Sequence, residues 1–153
     1  IPAGILQKME AARLATIGTF YRRQLSFGLL DLHLHRDRPL DEPVDAVAES
    51  NAILSDVFFP VPDGTTFVTY FGHLMGYDSG YYGYAWADAI SADMNTVFEE
   101  APGRYFDTEI GRRLRDEIYA PGGSRDVNES IRAFLKRERS LEPFLKSIGI
   151  EGE

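Results

Sequence analysis

The chain has no cysteine. That excludes a disulfide framework, a thiolate nucleophile and any metal site built on sulfur. It fits a reducing compartment, and a cytoplasmic setting is the expectation. Histidine is scarce too, with three in 153 residues. His33 and His35 are two apart, so on a helix they point to different sides and cannot grip one ion from one face. They read as surface or capping residues near a helix C-terminus. No H-E-x-x-H occurs, the spacing that sets two imidazoles on one helical face. No metal site is expected from these residues. Basic clustering is missing as well. The formal charge is −8, and the one basic patch, "RRLR" at 112 to 115, is followed at once by Asp116 and Glu117. A phosphate-binding surface needs clustered Lys and Arg, so no nucleic-acid partner is expected. No apolar run approaches the roughly 20 residues of a membrane span, no signal peptide is visible, and no membrane partner is expected. The G-x-S-x-G nucleophile elbow is absent. Strand patterning is confined to one isolated run, Thr65 to Tyr70.

What remains is helical. Leu6, Met9, Leu14, Ile17, Tyr21, Leu25, Leu29 and Leu32 recur at helical spacing from Pro2 to about Arg36. Two helices with a break near Gly18 are expected there. "RDRPLDEP" connects them to a helix capped by Asp41, with Pro43 in its first turn, running to about Val57. Pro60, Pro62 and Asp63-Gly64 forbid helix over 58 to 67, and a short helix follows from Phe67 to His73. Another runs from about Tyr81 to Glu99 on the stripe Trp86, Ile90, Met94 and Val97. Asp107 opens the next, to about Tyr119, and the glycines of "PGGS" (121 to 124) end it. Asp126 and Glu129 form a D-x-x-E capping box for a helix to about Arg137. Ser140 caps a last short helix ending at Gly149. The class is all-α, one domain over 1–153 with six to eight helices. The first residue is Ile1 rather than methionine, and a start inside a longer gene product is expected.

Chemistry concentrates in "FGHLMGYDSGYYGYAW", Phe71 to Trp86, which holds one histidine, four tyrosines, four glycines and the only tryptophan. A helix starting near Tyr77 or Gly80 would place Tyr77, Tyr81 and Tyr84 on one face. Tyr82 would point elsewhere, into the core. Phenols presented from a glycine-rich loop beside His73 form an array of neutral donors, suited to an oxygen that becomes negative in a tetrahedral transition state. Tyrosines at this spacing also occur simply packed, with their hydroxyls at the surface. A Ser79–His73–Asp78 triad would need all three on one tight loop, which rarely gives the geometry. On the residues alone, half of a polar aromatic site is present, without an attacking group.

Three blocks of the chain resemble the C-terminal part of the thimet-oligopeptidase-like zinc metallopeptidases. They are "IPAGILQKMEAARLATIGTFYRRQLSFGLLDLHLH", "FGHLMGYDSGYYGYAWADAISADM" and "GRRLRDEIYAPGGSRDVNESIRAFLKRE". The resemblance implies a zincin-type catalytic domain acting on short peptides. Its zinc, its H-E-x-x-H helix and its general base would lie upstream, in a missing N-terminal part, so this chain would bind no zinc and be inactive alone. It further implies that Tyr84 stabilises the oxyanion, that His73, Tyr77 and Tyr81 contact the peptide, and that Gly76 and Gly80 give the loop its mobility. In many members five positions separate the histidine from the first tyrosine. Here His73 and Tyr77 are four apart, which is expected to shift His73 out of register. The rival reading is a stand-alone helical binding or interaction module without catalysis. Apolar faces left uncovered along Phe20 to Leu32 are expected to promote self-association.

Overall fold

The computed structural model describes residues 1–39 and 41–150. Its regular elements, among the described residues, are helices and single helical turns. Six α-helices follow in order: α1 (Ala3–Leu34), α2 (Ala46–Val57), α3 (Gly83–Glu100), α4 (Thr108–Leu114), α5 (Val127–Leu135) and α6 (Glu142–Ser147). Short 3₁₀ turns occupy Phe67–Tyr70, Gly72–Leu74, Arg104–Phe106 and Gly122–Ser124. The all-α class expected from the sequence is the class observed.

Two of the boundaries that differ from expectation do so for a clear physical reason. α1 runs for 32 residues without a break at Gly18. One interior glycine costs only about 1 kcal/mol relative to alanine, and the stripe Leu14, Ile17, Tyr21 continues across it. α2 is capped by Asp45, whose carboxylate accepts the Ala48 N–H at 2.9 Å, and not by Asp41. A helix capped at Asp41 would hold Glu42 in the α region directly before Pro43, where ring sterics oppose it. The N-cap of α6 is Leu141, one residue past the expected Ser140, whose hydroxyl still accepts the Glu142 N–H at 3.2 Å, whereas Asp107 and Asp126 cap where expected. Asp107 accepts the N–H groups of Glu109 and Ile110, and Asp126 those of Asn128 and Glu129. The stretch after α4 widens into a π-type turn over Arg115–Tyr119, closed by Ala120 N–H on the Arg115 carbonyl.

The chain divides into two compact units, residues 1–86 and the residues from Ala87 onward. In the first, Phe27 of α1, Leu54 of α2 and Tyr81 are buried together, with Val61, Phe67 and Phe71 packed around them. Phe27 stacks on Phe67 with centroids 4.8 Å apart and meets the Tyr81 ring edge-on at 5.6 Å. Gly28 is buried beside them, and a Cβ there would lie 3.5 Å from the Tyr82 backbone. Arg22 donates to the Val57 carbonyl at 2.6 Å, closing the C-terminal end of α2.

In the second unit, Ile131, Phe134 and Leu135 of α5 form the buried centre. Ile90, Met94, Val97 and Phe98 of α3 pack on it, as do Ile110, Leu114 and Ile118. Trp86, expected on the same stripe, is instead 55% exposed. Buried Asp93 receives Arg137 through both terminal guanidinium nitrogens (2.6 and 3.1 Å) and the Ser140 N–H at 2.7 Å.

Candidate functional site

The segment 71 to 84 is a chain of tight turns, and only Tyr84 of its tyrosines sits on a regular helix. Tyr77 and Tyr81 therefore do not share a helix face with Tyr84, as the spacing suggested. Turns bring the rings together instead. The Phe71 N–H closes on Val68, Met75 on Gly72, and Gly80 on Tyr77. Gly76 carries φ +116° and Ser79 φ +58°, both in the left-handed region. Glycine tolerates that conformation freely, while a residue with a side chain resists it by about 1 kcal/mol.

His73 is the hub of the resulting cluster. Its ring lies 5.2 Å from Tyr81, 5.8 Å from Tyr84 and 6.1 Å from Tyr77, centroid to centroid. Its Nε2 is 3.0 Å from the Tyr84 hydroxyl oxygen. The shortened spacing to Tyr77 thus leaves His73 among the tyrosines. With Nε2 engaged by Tyr84, a Ser79–His73–Asp78 triad has no assembled base in this arrangement. Tyr77 and Tyr84 are 75% and 55% exposed. Tyr81 is buried, and it donates its hydroxyl proton to Gln24 Oε1 at 2.9 Å. Burial, reinforced by neighbouring Tyr84, pushes the Tyr81 phenol above its ordinary range. Tyr82, read from sequence as a core residue, is the one turned outward, at 53% exposed. Removing the helix that would have phased the rings exchanges the two roles.

Behind the cluster stands a residue that sequence reasoning missed. Asp31 of α1 is fully buried, and its carboxylate accepts the backbone N–H groups of Ser79 and Tyr81, both at 2.9 Å. His35 Nδ1 lies 2.9 Å from the same carboxylate. The signal was available. Asp31 follows Phe27 by one helical repeat, on the stripe that goes inward, where a charge requires partners. His33, on another side of α1, pairs with Glu49 of α2 at 2.6 Å. Arg38 completes that group with two bonds to Glu49, and its guanidinium holds the Glu49 carboxyl down at about 2.

Beside the rings, Leu25, Leu29 and Leu32 of α1 face Tyr82 and Tyr84 across a mostly apolar pocket of about 100 Å³. The site thus combines an apolar shelf with exposed phenols and one imidazole. No three His, Asp or Glu side chains are grouped to hold a metal ion among the described residues. The zinc implied by the resemblance does not fit the donors near His73, where aromatic rings and a phenol stand in place of carboxylates.

Residues 1–150 match peptidase family M3. Oligopeptidase A of Escherichia coli (strain K12) is 35% identical over 157 residues, covering 99% of this chain and 22% of its own length. Saccharolysin of Saccharomyces cerevisiae is 33% identical, over 99% of the chain and 21% of its length. Dipeptidyl carboxypeptidase of Salmonella typhimurium is 29% identical, over 99% and 22%. The chain spans about a fifth of the length of the curated relatives it matches.

Proposed function

The chain belongs to peptidase family M3, and from that premise we propose that it supplies the substrate-facing wall of a zinc-dependent oligopeptidase acting on short peptides. The zinc and the general base belong, in this reading, to polypeptide outside residues 1–153. The chain's own contribution is binding and electrostatic stabilisation. One observation carries the reading: an exposed phenol, Tyr84, paired with His73 at 3.0 Å on the open edge of the aromatic cluster.

The chemistry follows from which atom holds the proton. When His73 Nε2 carries it, the imidazole donates to the Tyr84 oxygen. The phenolic O–H is then left to point outward, and the bond to its oxygen makes it a stronger donor. A scissile carbonyl placed against it gains a short bond as negative charge grows on its oxygen, which favours the transition state over the ground state. Tyr77, the more exposed ring, contacts the peptide at the loop tip. Tyr81 works from beneath, its ring supporting His73 and Tyr84 while its hydroxyl stays with Gln24.

The test uses the full-length protein that carries this chain. Tyr84→Phe is expected to lower kcat on a short peptide about 10²- to 10³-fold, the cost of one oxyanion donor, with KM little changed. An unchanged kcat would refute the assignment. The isolated 153-residue chain, free of contaminating protease, is expected to cleave nothing, and zinc-dependent hydrolysis by it would overturn the division of labour.

A further inference from the structure

Asp31 takes no part in the chemistry above, yet it is buried completely in the first unit. A carboxylate is rarely buried unless hydrogen bonds or opposite charge compensate its lost hydration. Here two of its partners are main-chain N–H groups of the loop that carries the tyrosines. Ser79 donates to Oδ1 and Tyr81 to Oδ2, each at 2.9 Å, and His35 Nδ1 closes on Oδ1 from the end of α1.

The two anchored amides bracket Gly80. Its own N–H closes on the Tyr77 carbonyl, and a Cβ there would meet that oxygen at 3.0 Å. Ser79 is held at φ +58°, a conformation that persists in a non-glycine residue when its surroundings over-determine it. Gly80 is therefore packed and gripped on both sides. Gly76 differs, with φ +116° and nothing within 4 Å of a built Cβ. The backbone conformation that calls for glycine thus lies at Gly76, before the anchored pair.

We propose that Asp31 is a positioning residue of the site, fixing the 79–84 arm on α1 so that Tyr81 and Tyr84 are held in place against His73. Tyr81 passes the anchor on to the site, since its backbone is held by Asp31 while its ring lies 5.1 Å from Tyr84 and 5.2 Å from His73. Asp31 touches no substrate in this scheme and acts through the loop backbone.

This rests on the oligopeptidase reading, so the experiment reads the anchor and the catalysis separately. Residue-resolved amide hydrogen exchange on the full-length protein comes first. The amides of Ser79 and Tyr81 are expected to exchange at least about tenfold more slowly than those of Asp78 and Tyr82, as bonds to a buried charge should. Equal rates would overturn the proposal without any variant being made. Asp31→Asn then removes the charge and turns an amide donor toward one N–H group. Exchange at 79 and 81 is expected to accelerate about tenfold or more, while amides around Leu54 and Phe134 stay protected. With a short peptide, kcat is expected to fall at least about tenfold and KM less. Faster loop exchange with kcat unchanged would overturn the positioning role. Tyr84→Phe, run beside it, is expected to lower kcat and leave exchange at 79 and 81 as it was. If only that variant fails to lower kcat, the oxyanion reading falls and the anchor stands.

Discussion

Nε2 of His73 lies 3.0 Å from the phenolic oxygen of Tyr84, a pair drawn together across eleven residues of chain. If the imidazole serves by orienting that phenol, the two side chains form one unit and their losses will not add. His73→Gln and Tyr84→Phe are each expected to reduce kcat/KM of the full-length protein about 10²-fold or more. The double variant should lose little beyond the worse single one. Additive losses in the cycle would mean that His73 contacts the peptide independently.

Tyr81 and Tyr82 are neighbours with opposite surroundings, and this gives an expectation in stability. Tyr81→Phe removes the bond to Gln24 from a buried ring and should destabilise by about 1 kcal/mol. Tyr82→Phe, at an exposed position, should stay within about 0.5 kcal/mol of the parent. Urea unfolding of the two variants compares them directly. Equal effects would contradict the burial pattern.

The same two residues show where sequence reading stopped. Helix spacing and capping residues gave α3 to α6 to within a few positions, because Asp107, Asp126 and the proline-glycine breaks act locally. The hydroxyl-rich segment was legible as a candidate site because its composition suits neither core nor ordinary surface. Which ring faced inward was not legible. That depends on a turn held by Asp31, forty-eight and fifty residues away from its two partners. Periodicity carries no information about such a contact. The anchor could be suspected only from a carboxylate on the inward stripe of α1. The expected break at Gly18 failed for the opposite reason: a weak local preference was given more weight than the continuous apolar stripe around it.

Glu49 sets an acid limit for the first unit. Hydrogen bonds from Arg38, with His33 adding to them, lower its carboxyl from an ordinary 4.5 to about 2. A folded-state value below the unfolded one contributes stability that is complete above about 4.5 and is lost as pH falls toward 2. Glu49→Gln should therefore be less stable than the parent at pH 7, and the gap should close between pH 5 and about 2. Urea midpoints measured across that range provide the check. A gap that stays constant with pH would show that the bonds to Glu49 do not depend on its charge.

Asp93 performs in the second unit an anchoring role like that of Asp31. It is 1% exposed and holds Arg137 and the Ser140 N–H. Asp93→Ala leaves the Ser140 amide without its acceptor and frees a guanidinium. The cost should be about 3 kcal/mol, the low end for a broken buried pair, because Arg137 can turn to water. Arg137→Ala strands the buried carboxylate itself and should cost at least as much. A loss well below 1 kcal/mol for Asp93→Ala would mean that the segment after α5 is held by its apolar contacts alone.

The outward face of α1 leads to an expectation about association. Leu25, Leu29 and Leu32 are between 43% and 51% exposed and share one face of α1, an apolar strip of the kind that monomers seldom leave open. The isolated 153-residue chain is expected to self-associate, with a mass in light scattering that rises with concentration. Leu25→Glu with Leu29→Glu should return it to a monomer by placing two charges in the strip. Leu25, Leu29 and Leu32 also line the pocket beside Tyr82 and Tyr84, so association would cover the rings. Fluorescence quenching of the exposed tyrosines by acrylamide should accordingly weaken as concentration rises and recover in the double variant. A chain that remains monomeric at every concentration, with quenching unchanged, would show that this strip does not drive association.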